Sequence, residues 1–495
     1  MVLLHLALGL QSLCTLQVPE AGLLRLGLPL PAAAVSRGLR VDRATAASQW
    51  RPLQAAPDGA SMVWVELLVA APPGPLRLSS PGAGPSVDGP VASVATVEAA
   101  HAGGTSRTIT WSFRNGVQDR VERRLFTEAI EVAEEAYAAG EARTVISPEW
   151  LERTTAASVE RGVFVAAGVL PKDASLCPHL RQRLQAAAHR LGELPGERGA
   201  GDFARGDGEV ANGQFDPALA CMRLGLALGD PLLLARGWRC ARHTIDRDLD
   251  RRSGLPFPHG QGHRSGQPQP GHAWLQGMLL AGLLFADDEL LAGARSLARS
   301  IADALPLGEG RAERVRDFAW PLLELEAFLD WEMEPACGAA ADRLARLFAQ
   351  RFDPRIRTFR FGEGEVGQGV YFDRAWLTVG LVLPALRAHL RRRPDRELQK
   401  QVDAVQAALL EVLGNGQPGI PTHWRKGADG HPFAVHRAHD DPFAFFLLEG
   451  LDPGEQRRLL RKDGLWRALG DLPAGDDPDL ATTFALLARC SWVYR

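Results

Sequence analysis

The sequence predicts a fold in two unlike parts, a β-rich N-terminal region followed by a closed ring of helical hairpins, an (α/α)6 toroid. Three observations carry this prediction. Residues 1–110 contain short segments of apolar residues or of alternating apolar and polar residues, separated by Pro and Gly, as is typical of β-strands. Apolar residues then recur at three- and four-residue spacing from about residue 180 to the C-terminus. A weak repeat of an apolar helix, an acidic turn and an amphipathic helix links residues 226–245 to residues 282–301.

Composition is typical of a globular protein. The chain has 495 residues, enough for two or three domains, and 46% of them are apolar. A net charge of −3 offers no basic surface for nucleic acid, and no apolar run is long enough to predict a membrane span. The scattered cysteines lack metal-ligand spacing, so buried free thiols are expected. The apolar residues 1–13 fit a weak signal segment or a first strand. A bacterial secreted, periplasmic or cytoplasmic location therefore stays open, as does the oligomeric state.

The N-terminal elements read as strands. The clearest are residues 13–19, 21–31 and 62–71. Many short strands separated by Pro- and Gly-rich turns predict that residues 1–110 form a β-domain, either a barrel or a sandwich. Residues 111–178 are predicted to form a short β-rich connecting segment. Within it, residues 125–142 have a helix-forming composition, but β-type runs on both sides favour strands.

Residues 179–495 are predicted to form the helical domain. Its helical segments begin near Leu180, Gln214, Pro231, His272, Glu289, Arg316, Ala336, Asp373, Asp395, Asp440, Pro453 and Asp479. The acidic turns between paired helices stand where a helix N-cap belongs. Six such hairpins close into a toroid, and an open solenoid is the alternative. Long polar loops favour the toroid, because they have a natural place around its cavity.

Polar residues gather in residues 201–277. Asn212 and Asp216 precede an apolar helix, where they are either helix caps or pocket residues. Candidate catalytic side chains follow on a Gly- and Pro-rich loop that no helix can span: His259, His263 and His272. They line a pocket, tie down the loop, or bind a metal with Asp216 or Asp248. No ligand triplet has diagnostic spacing, so no cofactor is predicted, and a divalent cation such as calcium stays an option.

Further candidates lie at the ends of helical segments. Tyr371 is a candidate proton donor in a Gly-rich loop that opens a helix. The candidate substrate-binding residues are Asn212, Asp216, Arg242, His243, Arg264, Trp274, Arg316, Trp320, Arg374, Trp376, His423 and Trp424. The four tryptophans share a loop-to-helix position, and aromatic rings suit the apolar faces of sugars. This recurrence hints at a glycan ligand, although each Trp taken singly also fits a hydrophobic core.

Several segments resemble a known group of proteins. Residues 22–41 (GLLRLGLPLPAAAVSRGLRV) and 49–69 (QWRPLQAAPDGASMVWVELLV) resemble the opening of RIFT-barrel proteins related to exo-rhamnogalacturonan lyases. The motifs VANGQFDP, LGDPLLLARG, ARHTIDRDLD, HGQGHRSG and GHAWLQG resemble the helical toroid of the same group. The chain departs from that group in leaving only about seventy residues for a central β-sandwich. It also carries Asn-Gly-Gln-Phe-Asp at residues 212–216, where relatives tend to have Asn-x-Glu-Tyr-Asp.

The resemblance implies a polysaccharide lyase that cleaves a uronate-containing, rhamnogalacturonan-like glycan by β-elimination. A histidine of the 259–272 loop is then the base and Tyr371 the acid, with Arg242 or Arg264 and Asn212 around the substrate carboxylate. Two alternatives stay open, a glycoside hydrolase with paired carboxylates and a non-catalytic glycan-binding protein. Carboxyl candidates for the hydrolase are Asp207, Glu209, Asp216, Asp373 and Asp440. Two carboxyl groups facing one cavity favour the hydrolase, and a cluster of His, Tyr and Arg favours the lyase.

Overall fold

Antiparallel sheets in the N-terminal half and helical hairpins in the C-terminal half make up the part of the chain that the structure describes. This structure is a computed structural model. It describes residues 11–18, 22–37, 39–41, 49–53, 62–71, 74–80, 91–101, 104–113, 118–125, 132–139, 142–146, 161–167, 169–170, 182, 184–187, 203–204, 210–211, 213–258, 266–305, 315–359, 370–372, 375–414, 420–426, 432–438, 446–460 and 488–490.

Two three-stranded antiparallel sheets lie within residues 11–80. Their strands are β1 (Gln11–Val18), β2 (Gly22–Pro31), β3 (Arg40–Val41), β4 (Gln49–Pro52), β5 (Met62–Ala71) and β6 (Gly74–Ser80), with the short helix α1 (Ala32–Ser36) after β2. The strand orders are β1-β6-β3 and β2-β5-β4. Leu26, Leu28 and Leu30 of β2 are buried. This period-2 spacing of leucines puts one face of the strand into the core.

A five-stranded antiparallel meander follows. Its strands are β7 (Val91–His101), β8 (Gly104–Phe113), β9 (Gln118–Leu125), β10 (Val132–Ala139) and β11 (Ala142–Ile146), paired in chain order. The strand prediction for the helix-like composition of residues 125–142 is confirmed, since β10 and the start of β11 lie there. Sheet context overrides helix propensity in this segment. A short helix, α2 (Arg161–Ala166), and the strand pair β12 (Phe203–Ala204) and β13 (Val210–Ala211) lead to the helical half.

Helices dominate the described residues after position 216. They are α3 (Pro217–Leu228), α4 (Pro231–His243), α5 (Leu275–Leu284), α6 (Asp288–Ala304), α7 (Arg316–Trp331), α8 (Pro335–Arg351), α9 (Ala375–Thr378), α10 (Val382–Arg392), α11 (Arg396–Gly414) and α12 (Pro453–Leu460). A π-helical turn (Thr244–Asp248) follows α4, and 3-10 turns span Pro270–His272 and Leu447–Gly450. The strand pair β14 (Phe352–Asp353) and β15 (Thr358–Phe359) follows α8. None of the described helices is both long and apolar enough to span a membrane.

The repeated acidic turns are helix N-caps, as the sequence predicted. Asp230 accepts hydrogen bonds from the amides of Leu232 and Leu233 at the start of α4. Asp287 does the same for Glu289 and Leu290 in α6. Each cap satisfies amides that a helix leaves without an internal partner. The helix starts expected near Asp440 and Asp479 lie outside the described residues.

The helical hairpins follow one another around a ring. Helix α3 packs on α5, α5 on α7, α7 on α10, and α10 on the turn Leu447–Gly450. The two ends then meet, because the Arg223 guanidinium donates to the Arg489 carbonyl at 2.9 Å, and Arg489 donates to the Phe215 carbonyl at 3.4 Å. An open solenoid keeps its first and last repeats apart. These contacts therefore favour the ring over the solenoid alternative.

One part of the helical half departs from the sequence prediction. The Gly-rich segment around Tyr371 and the segment containing Trp424 were expected to be loops that open helices. They are instead three strands of one sheet, β16 (Val370–Phe372), β17 (Ile420–Lys426) and β18 (Pro432–Ala438). Trp424 pairs with Phe372 and with Ala434 and is not at a loop-to-helix position. The intervening Gly-Ala-Asp-Gly of residues 427–430 has the composition of a hairpin turn, which was the missed signal.

Candidate functional site

The N-terminal ends of α3 and α5 meet, and this junction holds the candidate site. Asp216 caps α3, and its second carboxyl oxygen accepts a hydrogen bond from the Gly277 amide of α5 at 2.7 Å. The Trp274 indole, just ahead of α5, donates to the Gly213 carbonyl at 2.8 Å. Gly277 permits this approach, since a Cβ there would lie 2.1 Å from an Asp216 carboxyl oxygen. Helix ends that carry polar side chains are thus held together at one end of the ring.

Asp216 is held in an uncommon backbone conformation. Phe215 and Asp216 have φ values of 58° and 59°, in the left-handed region that few residues other than Gly adopt. Such conformations cost on the order of 1–3 kcal/mol each and are concentrated at functional sites. The Asp216 carboxyl also accepts from the Leu219 amide at 2.9 Å and is 1% exposed. Burial raises the pKa of this carboxyl, against the opposing effects of Arg489 and of the two amides.

A small cavity lies beside Asp216. Its volume is about 10 Å³, roughly what one water molecule needs. The polar side chains that line it are those of Asp216, His243, Thr244 and Asp248, and the Trp274 ring forms part of its wall. The His243 Nε2 atom lies 3.5 Å from a carboxyl oxygen of Asp248, and both residues are buried. We call this space the Asp216 cavity; it brings together two carboxyl groups, an imidazole and an aromatic ring.

A second buried carboxyl group, that of Glu324, binds backbone amides next to the one that Asp216 binds. One oxygen of Glu324, on α7, accepts from the Leu275 and Gln276 amides at 3.0 and 2.8 Å. Its other oxygen lies 3.6 Å from the Arg489 guanidinium and accepts no hydrogen bond within the described part of the chain. Burial raises the pKa of Glu324 to about 7; Arg489 opposes this effect and Asp216 adds to it.

Sequence reasoning missed Glu324 and Arg489. The only local signal was the pattern Leu-Glu-Leu-Glu within an otherwise apolar helix, since a glutamate on such a face must be paired or functional. Arg489 gave no signal, because its partners lie far away in the sequence.

Aromatic rings pack beneath the cavity. Trp274 and Trp320 contact edge to face with ring centroids 5.1 Å apart, and Phe215 lies 6.2 Å from each. The Arg489 guanidinium stacks over Trp320 at 4.5 Å. Trp320 is fully buried, whereas Trp274 lines the cavity. The two tryptophans therefore have different surroundings, although the sequence assigned them the same substrate-binding role.

The side chains of other predicted site residues contact residues of the protein itself. Arg242 forms ion pairs with Glu289, with Asp287 at 3.7 Å and with Asp246 at 3.9 Å. His272 is buried in the 3-10 turn Pro270–His272.

Arg316 lies close to that turn, since its guanidinium donates to the Gly271 carbonyl at 3.4 Å. The ion pairs of Arg242 described above hold α4 against α6, so contacts within the protein explain the position of its side chain without a substrate.

The remaining candidates fall into two groups. Tyr371, Trp376, His423 and Trp424 are described in their backbone, on β16, α9 and β17. The pairing of Phe372 with Trp424 puts the strand of Tyr371 beside that of His423. The predicted substrate-binding and catalytic residues outside the described part of the chain are Asn212, His259, His263, Arg264 and Arg374. The hydrolase carboxyl candidates Asp207, Glu209, Asp373 and Asp440 also lie outside it. The described residues include no group of three or more His, Cys, Asp or Glu side chains able to hold a metal ion.

Comparison with known proteins finds likeness to solved structures but no match at the level of sequence. No family model matches the chain, and no curated protein matches it. Among solved structures it is similar to a family 76 glycoside hydrolase from a bovine Bacteroides thetaiotaomicron strain, with 10% identity and a TM-score of 0.38. The match covers 97% of this chain and 98% of that chain.

Proposed function

We propose that this chain is a carbohydrate-active enzyme that hydrolyses a glycosidic bond of a polysaccharide or oligosaccharide. Asp216 and Asp248 are its carboxyl pair. The observation that carries the proposal is that both residues line one cavity with His243 and Trp274. Glycoside hydrolysis needs two carboxyl groups on opposite sides of the scissile bond. Trp274 contributes an aromatic ring to the wall of this cavity.

Asp216 acts as the general acid in this scheme. An acid that protonates a leaving oxygen must carry its proton near neutral pH. Burial of Asp216 favours the neutral form and raises its pKa. Each of its oxygens keeps a second lone pair beyond the one used by Leu219 or Gly277. In this scheme Asp216 donates its proton to the leaving group, and both backbone hydrogen bonds persist.

Asp248 acts as the general base. Its carboxyl group lies beside His243, and the cavity has room for about one water molecule. Retaining carboxyl pairs lie about 5–5.5 Å apart, whereas inverting pairs lie roughly 6.5–9.5 Å apart and leave room for a water. We propose the inverting reaction, with Asp248 activating the attacking water, because the cavity that both carboxyl groups line has room for about one water molecule.

The lyase mechanism has weaker support. It calls for a base with a tyrosine and an arginine, and the described lining of the Asp216 cavity contains one histidine and neither of the other two. The roles of His259, His263, Arg264, Tyr371 and the other predicted side chains stay predictions.

We also propose that the N-terminal β-rich region is a RIFT-barrel-like domain, that the helical ring is an (α/α)6 toroid of six hairpins, and that the substrate is rhamnogalacturonan-like.

Substitution of the two carboxyl groups tests the proposal. Asp216→Asn and Asp248→Asn are each expected to lower kcat on a cleaved glycan by about 10²–10⁴-fold, because each removes one proton-transfer group. The control is Asp303→Asn, an exposed carboxyl on α6, which should leave kcat within about twofold. Rates are compared at equal concentrations of folded protein. Full activity in either variant of the pair would overturn the assignment.

A further inference from the structure

We propose that Arg489 is a positioning residue for Asp216, the general acid of the proposed hydrolysis. The inference rests on that proposed function and extends it to a residue from the other end of the helical ring. Its first ground is a direct hydrogen bond. The Arg489 guanidinium donates to the Phe215 carbonyl at 3.4 Å, and this carbonyl belongs to the peptide group that joins Phe215 to Asp216.

That peptide group lies between two strained residues. Phe215 and Asp216 both have positive φ values, which are unfavourable for residues with a Cβ atom. Conformations of this kind persist only where surrounding contacts hold them. Rotation of the peptide group towards an ordinary conformation would carry the Asp216 carboxyl away from the Gly277 amide that it binds. A donor on the Phe215 carbonyl opposes this rotation.

The Arg489 guanidinium is itself held by α7. It stacks over the Trp320 ring, 4.5 Å from the ring centroid, and lies 3.6 Å from the Glu324 carboxyl group. Trp320 and Glu324 are four residues apart, so they lie on the same face of the helix. A planar guanidinium can stack, pair and donate at the same time, whereas a lysine ammonium is a point charge. Helix α7 therefore fixes the direction in which Arg489 donates.

The backbone of Arg489 adds a second link to α3. Its carbonyl accepts from the Arg223 guanidinium at 2.9 Å, about two turns into α3 from Asp216. Arg489 is 6% exposed, so water has little access to replace it at the Phe215 carbonyl. Arg489 is thus bonded on both sides of Asp216, to Phe215 before it and to Arg223 after it. The residue that joins the two ends of the ring also orients the acid.

Two variants separate the positioning role from the charge of Arg489. Arg489→Lys keeps a positive charge beside Glu324 but loses the planar guanidinium. Glu324→Gln combined with Arg489→Met removes both charges, so no buried charge is left unpaired. We expect kcat to fall about 10–100-fold in each with KM within about twofold, because a displaced catalytic group weakens the transition state. A wild-type kcat in both variants would overturn the positioning role.

Hydrogen exchange gives a readout that needs no substrate. Gly277 is the third residue of α5, so its amide has no partner within the helix and its protection comes from Asp216. We expect this amide to exchange at least about tenfold faster in both variants. The matched amide is that of Leu290, the third residue of α6, which Asp287 caps and which should keep its rate. An unchanged rate at Gly277 would contradict the inference.

The matched control is Glu326→Gln combined with Arg392→Met. It removes another ion pair of α7, in which Arg392 donates to both oxygens of the buried Glu326 at 2.8 Å. Glu326 is two residues from Glu324 and so lies on a different face of the helix. We expect lower stability but wild-type kcat and wild-type exchange at Gly277. Equal losses of kcat in the two double variants would indicate a general loosening of the fold and would refute a specific role of Arg489.

The two readouts distinguish a failure of this inference from a failure of the proposed function. If the wild type cleaves no glycan but exchange at Gly277 is faster in Arg489→Lys, the hydrolase proposal fails and the hold of Arg489 on Asp216 stands. If the wild type is active and both readouts are unchanged in the variants, the positioning role is refuted and the hydrolase proposal stands.

Discussion

Asp216 shows how one residue serves structure and a candidate site together. The sequence left open whether it caps a helix or lines a pocket, and it does both, because its carboxyl caps α3 and faces the cavity. His243 and Trp274 were also singled out from the sequence and line the same cavity. Their catalytic and binding roles stay predictions. Local sequence signals were sufficient here, since all three lie at the ends of strongly patterned helices.

Glu324 could not be found in this way. Its environment is made by the amides of Leu275 and Gln276 and by Arg489, which are remote in the sequence. Contacts with residues remote in the sequence determine whether a glutamate in an apolar helix is a buried structural residue or part of a functional site. Arg242 was singled out from the sequence for a substrate role, but its guanidinium pairs with Glu289, which is also remote in the sequence.

At the residue scale we predict an unusual dependence of stability on pH. The pKa of Glu324 is about 7 in the folded chain against an ordinary value of 4.5. The folded state therefore binds more protons than the unfolded state between these values, so the free energy of unfolding falls as pH rises from about 4.5 to 7. A total change of a few kcal/mol at most is expected. Urea unfolding at half-unit pH steps measures it, and a rise across this window would contradict the assignment.

Among the described helices, the starts of α3 to α9, α11 and α12 were predicted to within a few residues, whereas α10 had no predicted start of its own. The reason is physical, because Asp230 and Asp287 are N-caps followed by amphipathic helices. The sheet of β16, β17 and β18 was not predicted. Its strands are short and flanked by Gly-rich segments, and strand pairing joins residues that are far apart in sequence.

At the element scale the two caps should differ in strength. Asp230→Ala loses only the cap of α4, at a cost of about 1 kcal/mol. Asp287→Ala loses the cap of α6, the hydrogen bond from the Trp238 indole at 2.9 Å and the ion pair with Arg242. Because Asp287 is buried, we expect about 3–5 kcal/mol. Urea unfolding of both variants measures the difference, and equal costs would show that the buried network contributes nothing.

At the scale of the whole molecule, one close contact between the β-rich region and the helical ring is made at a glycine of β2. A Cβ on Gly27 of β2 would lie 1.5 Å from the Leu283 carbonyl oxygen near the end of α5. This contact is at the opposite end of α5 from the amides that hold Asp216. The β-rich region therefore supports α5 from the end away from the cavity.

Substitution of that glycine tests the junction. Gly27→Ala forces β2 away from α5 and should destabilise the protein by about 2 kcal/mol or more. Gly162→Ala is the control, because a Cβ there meets no atom within 4 Å and alanine favours a helix. Thermal unfolding of both variants gives the comparison. An unchanged Tm in Gly27→Ala would mean that the two regions are not packed as described.

Proton NMR of a glycan digest distinguishes hydrolysis by Asp216 and Asp248 from β-elimination and from binding alone. Hydrolysis with inversion predicts new reducing-end signals, first of the anomer opposite to the cleaved linkage, and no vinylic proton. Asp216→Asn and Asp248→Asn should abolish these signals. A vinylic proton in the product would show β-elimination and contradict the hydrolase proposal, and an unchanged spectrum with bound oligosaccharide would mean that the protein only binds glycans.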